Sequence, residues 1–181
     1  MSSGSEPFTY GPVGADAPNG TDPRRPRTAA EEAALRRVAA LAASSVSREE
    51  LFATASQALA PLVGADMAAL LRFEPDETVT LLGAWNPAGE PVHVGDREPV
   101  NAVLRQMRDS GQPLRCGAAD LPLTGPFISE IRRLRIRGAI AVPIQIGGRV
   151  WGACVAASQS ASPFPRGTET RMLELIELMA G

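Results

Sequence analysis

The chain has 181 residues, 44% of them apolar, and a formal charge of −2, which allows one domain with a real core and no global pull toward nucleic acid or membrane. It contains no lysine, so a Walker phosphate loop and a lysine Schiff base are excluded. A single histidine, His93, argues against a histidine-built metal site or a Ser-His triad, and Cys116 and Cys154 have neither zinc nor CxxC spacing.

Residues 1–27 are rich in Gly, Pro and Ser with almost no periodic apolar content, and are expected to form a disordered tail. Arg24-Arg25 is followed by proline and an acidic helix rather than an apolar stretch, which argues against an export signal. No apolar run reaches the ~18 residues of a membrane span, so a cytoplasmic protein is expected.

The domain begins at Thr28. Thr28-x-x-Glu31 fits a capping box, with Leu35, Val38, Leu41 and Ala42 following at helical spacing. Ser47-x-x-Glu50 opens a second helix carrying Leu51, Phe52, Ala55 and Leu59, closed by Pro61 and Gly64. Met67–Phe73 and Val79–Trp85 read as a hairpin turning at Pro75-Asp76. Asn86–Glu98 reads as a polar loop, and Val100–Ser110 as a helix stopped by Gly111. Leu114–Cys116 is a brief strand or extended link, Phe127–Leu134 a short helix, and Thr168–Met179 a final helix.

The strongest local signal is GAIAVPIQIGGRVWGACVAAS, residues 138–158. Gly147-Gly148 is a two-residue hairpin turn that both glycines can occupy with positive φ. An unbroken register then pairs Ile146 with Arg149, Gln145 with Val150, Ile144 with Trp151, Pro143 with Gly152, Val142 with Ala153 and Ala141 with Cys154. That register sorts bulky side chains onto one face and small ones onto the other. Pro143 has no N–H to give a ladder and points to a bulge or an edge.

The order αα, ββ, α, short β, α, ββ, α is an α+β pattern. Together with Val142-Pro143-Ile144, the glycine turn, Gly148-x-x-x-Gly152 and Ser158 ahead of the last helix, it resembles the GAF domain over residues 28–181. The flavour resembles GAF modules of actinobacterial sensor histidine kinases. The resemblance implies an antiparallel six-stranded sheet, with the N- and C-terminal helices on one face and a pocket with short helices on the other. By family position the pocket candidates are Trp85, Met107, Phe127, Ile131, Val142 and Cys154, with Asn101 and Ser129 as polar handles.

The special chemistries of that family are not visible in this sequence. The segment before Val142 holds no histidine for heme, and neither cysteine sits in a bilin-attachment context. Two cysteines are too few for the methionine-sulfoxide reductase pattern, and the absence of lysine removes the cyclic-nucleotide signature. No heme, flavin or bilin cofactor and no metal is expected. The reading is a non-catalytic sensory module that binds an unknown small molecule or relays signal as a homodimer through its terminal helices, with no nucleic-acid or membrane partner. Two alternatives remain: a redox-sensing or catalytic protein using Cys116 beside Arg115, or a ligand-free interaction domain.

Overall fold

The computed structural model describes residues 26–87, 93–121, 126–160 and 164–180, with backbone alone for 126–129. The expected tail, apart from its last two residues, lies outside this range, as do the side chains of Phe127 and Ser129.

Two capped helices open the domain. Helix α1 spans Ala29–Ala42; the Thr28 hydroxyl accepts from the Glu31 N–H at 3.1 Å while the Glu31 carboxylate accepts from the Thr28 N–H at 2.8 Å. Helix α2 spans Arg48–Val63 behind Ser47 and ends at Gly64 in the left-handed conformation. Pro61 does not close α2, contrary to the sequence reading; it lies inside the last turn. A proline so near the end forfeits one helical hydrogen bond, and Gly64 supplies the stop.

Strands β1 (Met67–Phe73) and β2 (Thr78–Trp85) form the first hairpin. The expected polar loop after β2 ends in a short strand, β3 (Arg97–Pro99), paired with β2. Three residues carry too little alternation to be read as a strand. Helix α3 (Ala102–Ser110), strand β4 (Leu114–Gly117), helix α4 (Pro126–Arg133), strands β5 (Gly138–Ile146) and β6 (Arg149–Ser158), and helix α5 (Thr168–Ala180) complete the chain. All six strands form one antiparallel sheet in the order β3-β2-β1-β6-β5-β4.

The turn between β5 and β6 is as expected, with Gly147 at φ 58° and Gly148 at φ 77°. The register is not. Ile146 faces Arg149 and Gln145 faces Val150, but a bulge then inserts Trp151, so that Ile144 pairs with Gly152, Pro143 with Ala153, Val142 with Cys154 and Ala141 with Val155. A one-residue shift moves every later β6 side chain to the other face relative to β5. The expected sorting into a bulky and a small face is therefore overturned: large residues of β5 now stand beside small residues of β6. Trp151 packs toward Phe52 of α2, the ring centres 6.4 Å apart.

Helices α1, α2 and α5 cover one face of the sheet. Val38, Leu59, Leu62, Met172 and Leu175 are fully buried there, against Leu70, Ile140, Val142 and Cys154. Burial of such side chains is the main force holding the layers together, at ~1.5–3 kcal/mol for each large one. An Arg171–Glu31 ion pair, N to O 3.6 Å, joins α5 to α1 within this layer, with each residue 4% exposed. Helix α2 approaches the sheet closely at Gly83, where a β-carbon would stand 2.7 Å from the Phe52 carbonyl oxygen. The other face carries α3 and two further apolar clusters, one around Met107, Leu71 and Leu81, the other around Leu121, Leu134, Ile136 and Ala157. No helix among the described residues is long and apolar enough to cross a membrane.

Candidate functional site

Two cross-strand rows of side chains face α3. One runs Ala69, Val155, Ala141, Leu114; the other runs Met67, Ala157, Ala139, Cys116. Four of these eight positions are alanine, at the centre of the sheet where bulky β-branched residues are the usual filling. Small side chains leave space above them. The result is a cavity of about 80 Å³ floored by Ala69, Ala139, Ala141, Val155 and Ala157. Its walls are Asn101, Val103 and Leu104 at the start of α3, Cys116 and Leu121 beside β4, and Ile131 and Ile136 around the end of α4. An apolar cavity of about 150 Å³ holds a benzene-sized molecule; this one is smaller and has the same character.

Polar atoms in the lining are few. The Asn101 side chain caps α3, its Oδ1 accepting from the Leu104 N–H at 2.9 Å. That commits the oxygen and leaves the Asn101 Nδ2 amino group with no hydrogen-bond partner among the described residues. The second polar atom is the Cys116 thiol. Desolvation pushes its pKa up to about 11, a hydrogen bond from the Ala139 backbone offsetting only part of this and the charge of Asp120 adding to it. The thiol therefore stays protonated at neutral pH.

The arrangement separates Cys116 from Arg115, the cation named beside it in the redox alternative. A reactive thiolate needs a neighbouring cation, and Arg115, adjacent in sequence, points through the opposite face of the sheet. Its guanidinium is taken up by Glu169, with Nε to Oε1 at 2.6 Å and Nη2 to Oε2 at 2.9 Å. Cys154 is wholly buried in the helix-side core, with its pKa pushed up to about 12 by desolvation. Both cysteines are free thiols.

Of the pocket candidates named from sequence, Asn101 and Ile131 line the cavity. Met107 is fully buried on the same side of the sheet, in the cluster with Leu71 and Leu104 rather than in the lining. Val142, Cys154 and Trp85 belong to the opposite face, packed with the helix layer. For Cys154 the bulge is the cause, since it puts Val142 and Cys154 side by side facing α5 and α2. The residues missed are the alanines of the floor. Their signal is a small side chain at alternate positions of three strands, legible only once the pairing of β1 with β6 and of β6 with β5 is known.

His93, the only histidine, is exposed in the loop before β3 and does not line the cavity. Among the described residues no group of three or more His, Cys, Asp or Glu side chains could hold a metal ion.

Residues 47–181 match the family model of the GAF domain. No curated protein sequence shows significant similarity to the chain. Among solved structures the fold is similar to the phycocyanobilin-bound GAF domain of a cyanobacterial phytochrome, at TM-score 0.64 and 17% identity, over 83% of this chain and 91% of that one. It is equally similar to the phycoerythrobilin-bound GAF domain from a cyanobacterial phytochrome, at TM-score 0.66 and 16% identity, over 83% and 93% of the two chains. The chromophore-binding domain of Stigmatella aurantiaca phytochrome P1 matches at TM-score 0.63 and 16% identity, over 89% of this chain and 62% of that one.

Proposed function

Because this chain belongs to the GAF domain family, we propose that it is a non-catalytic sensory module whose ligand is a compact, largely apolar molecule held between the sheet and α3. The alanine-floored cavity carries this reading. A protein interior is normally packed to the density of an organic crystal, and a void kept open by four alanines in adjoining strands supports a built site. The uncommitted Asn101 amino group suits a ligand with one hydrogen-bond acceptor, such as a carbonyl or ether oxygen.

The bilins of the structural relatives do not fit the residues here. A linear tetrapyrrole carries propionate groups that call for cations, and no arginine among the described residues lines the cavity. Covalent attachment through sulfur needs a thiolate, and the Cys116 thiol is held protonated. The cavity has no histidine to serve as an axial ligand of heme. We therefore expect purified protein to show no visible absorption band, and incubation with phycocyanobilin to give no covalent adduct.

The reading extends to a place in a signalling chain of the sensor histidine kinase kind, for which the general resemblance of residues 28–181 to such modules is the support. It extends also to self-association through α1 and α5. Leu173 on α5 is 37% exposed, more than sheet cover requires, and a closed two-fold dimer is the commonest soluble assembly.

A thermal-shift screen of small aromatic and aliphatic molecules tests the central claim. A ligand of the native state raises the melting temperature by mass action. The expected result is a rise for compounds of benzene size or smaller that disappears in Ala141→Phe. A screen in which no compound moves the wild type more than it moves Ala141→Phe would favour the ligand-free interaction domain.

A further inference from the structure

We infer that Arg115 is a coupling residue, through which filling of the cavity displaces the first turn of α5. The inference rests on the reading of the cavity as a ligand site.

Strand β4 is four residues long and pairs with β5 alone. Its side chains alternate, so neighbours in sequence face opposite sides of the sheet. Cys116 faces the cavity and forms part of its wall. Arg115 lies at the end of the helix-face row Ala68, Ala156, Ile140. From there it reaches the segment that leads into α5. Nη1 donates to the Phe164 carbonyl at 2.5 Å, Nη2 to the Pro165 carbonyl at 2.7 Å, and Nε and Nη2 to the two oxygens of Glu169. Pro165 lies three residues ahead of α5, and its carbonyl also accepts from the hydroxyl of Thr168, the first residue of the helix, at 2.9 Å. One planar side chain thus grips the entry carbonyls and the first-turn carboxylate together.

That grip has the form a mechanical link needs. A guanidinium held at both sides of its fork has a fixed orientation, unlike the single rotatable ammonium of lysine. Arg115 and Glu169 are both mostly buried, their side chains 22% and 20% exposed, so water cannot easily replace either partner. An edge strand with a backbone partner on one side only is the part of the sheet that gives most readily when a ligand pushes on Cys116. A displacement of β4 then carries Arg115 with it, and the α5 entry follows.

Xenon under pressure is a suitable probe, because it enters apolar cavities without needing any particular chemistry. Amide shifts would be followed by two-dimensional NMR in the wild type, Arg115→Met and Glu169→Gln. In the wild type, xenon should shift the Ala141 and Ala157 amides of the floor and the Glu169 and Thr170 amides of α5. In Arg115→Met the floor shifts should persist while the α5 shifts fall by about threefold or more. Glu169→Gln retains the carbonyl contacts and should give an intermediate loss, and it serves alone if Arg115→Met does not fold. Equal α5 shifts in wild type and variants would overturn the coupling role, as would floor shifts in the wild type without any α5 shift. Absence of floor shifts at every pressure would overturn the cavity reading itself, and the coupling with it.

Discussion

Gly152 of β6 lies so close to Leu71 of β1 that a β-carbon on it would stand 2.2 Å from the Leu71 carbonyl oxygen. The obstacle is backbone in a neighbouring strand, so no rotamer change relieves it. Gly152→Ala is expected to destabilise the domain by about 3 kcal/mol in urea denaturation, at the upper end of overpacking costs. Gly117→Ala is the control: a β-carbon there meets nothing within 4 Å, and its effect should stay within ~0.5 kcal/mol. Similar small effects at both glycines would mean that β1 and β6 are not packed in this register.

Ala156 and Ala157 are adjacent, almost fully buried, and on opposite faces. Ala156 belongs to the packed helix-side core, whereas Ala157 floors the cavity. Ala156→Leu should cost about 2–3 kcal/mol by overpacking, while Ala157→Leu fills existing space and should change stability by less than ~1 kcal/mol in either direction. Thermal or chemical denaturation of the two variants decides it. The reverse order would place the void on the helix side.

Both thiols should react slowly. With the Cys116 pKa near 11 and the Cys154 pKa near 12, only about one Cys116 thiol in a thousand is ionised at pH 8. Alkylation of native protein by iodoacetamide at pH 8 should be about a hundredfold slower than that of the urea-unfolded chain. A rate at Cys116 equal to that of the unfolded chain would favour the redox reading.

Acid should loosen the start of α5. Burial alone would raise the Glu169 pKa, but hydrogen bonds from Arg115 and the backbone, with the guanidinium charge, outweigh it and hold the pKa below its ordinary 4.5. A carboxylate with a depressed folded-state pKa contributes stability that is present above the unfolded value and lost as pH falls through the folded one. The Arg115–Glu169 contribution is therefore intact at pH 7, begins to fall below about pH 4.5 and is lost as pH drops through the lower folded-state pKa. Arg115→Met should cost about 1–3 kcal/mol at pH 7 and less at pH 3. An unchanged difference at the two pH values would show that the loss comes from packing of the side chain, not from the ion pair.

Much of this fold is legible in the sequence because it is written in short-range chemistry. Thr28 with Glu31, Ser47 and Gly111 mark helix ends by satisfying backbone groups within a few residues. Gly147-Gly148 marks a turn because few other residues accept two positive φ angles. The candidate site was less legible, and the bulge at Trp151 is the main reason. Its only sequence trace is Pro143, which signals irregularity but not which strand takes the extra residue. A single unpaired residue reverses the face of Cys154 relative to Ala141, and the pocket candidates on that strand go with it. Asn101 and Ile131 escaped this because their places follow from α3 and α4, where no register intervenes. The alanine floor depends on the pairing of β1 with β6, two strands more than seventy residues apart in the chain.

The sheet ends on both sides in its shortest strands, β3 with three residues and β4 with four. An open edge is a template on which a foreign strand can grow, and its pull rises with the number of unpaired backbone groups it offers. Here one margin is closed within a few residues by Pro99, which has no N–H to give, and the other runs straight into the Ala118–Asp120 turn after Gly117. Each terminal strand therefore offers a foreign strand only a few backbone groups of its own, and the lengths of β2 beyond Thr80 and of β5 beyond Ala141 run past them.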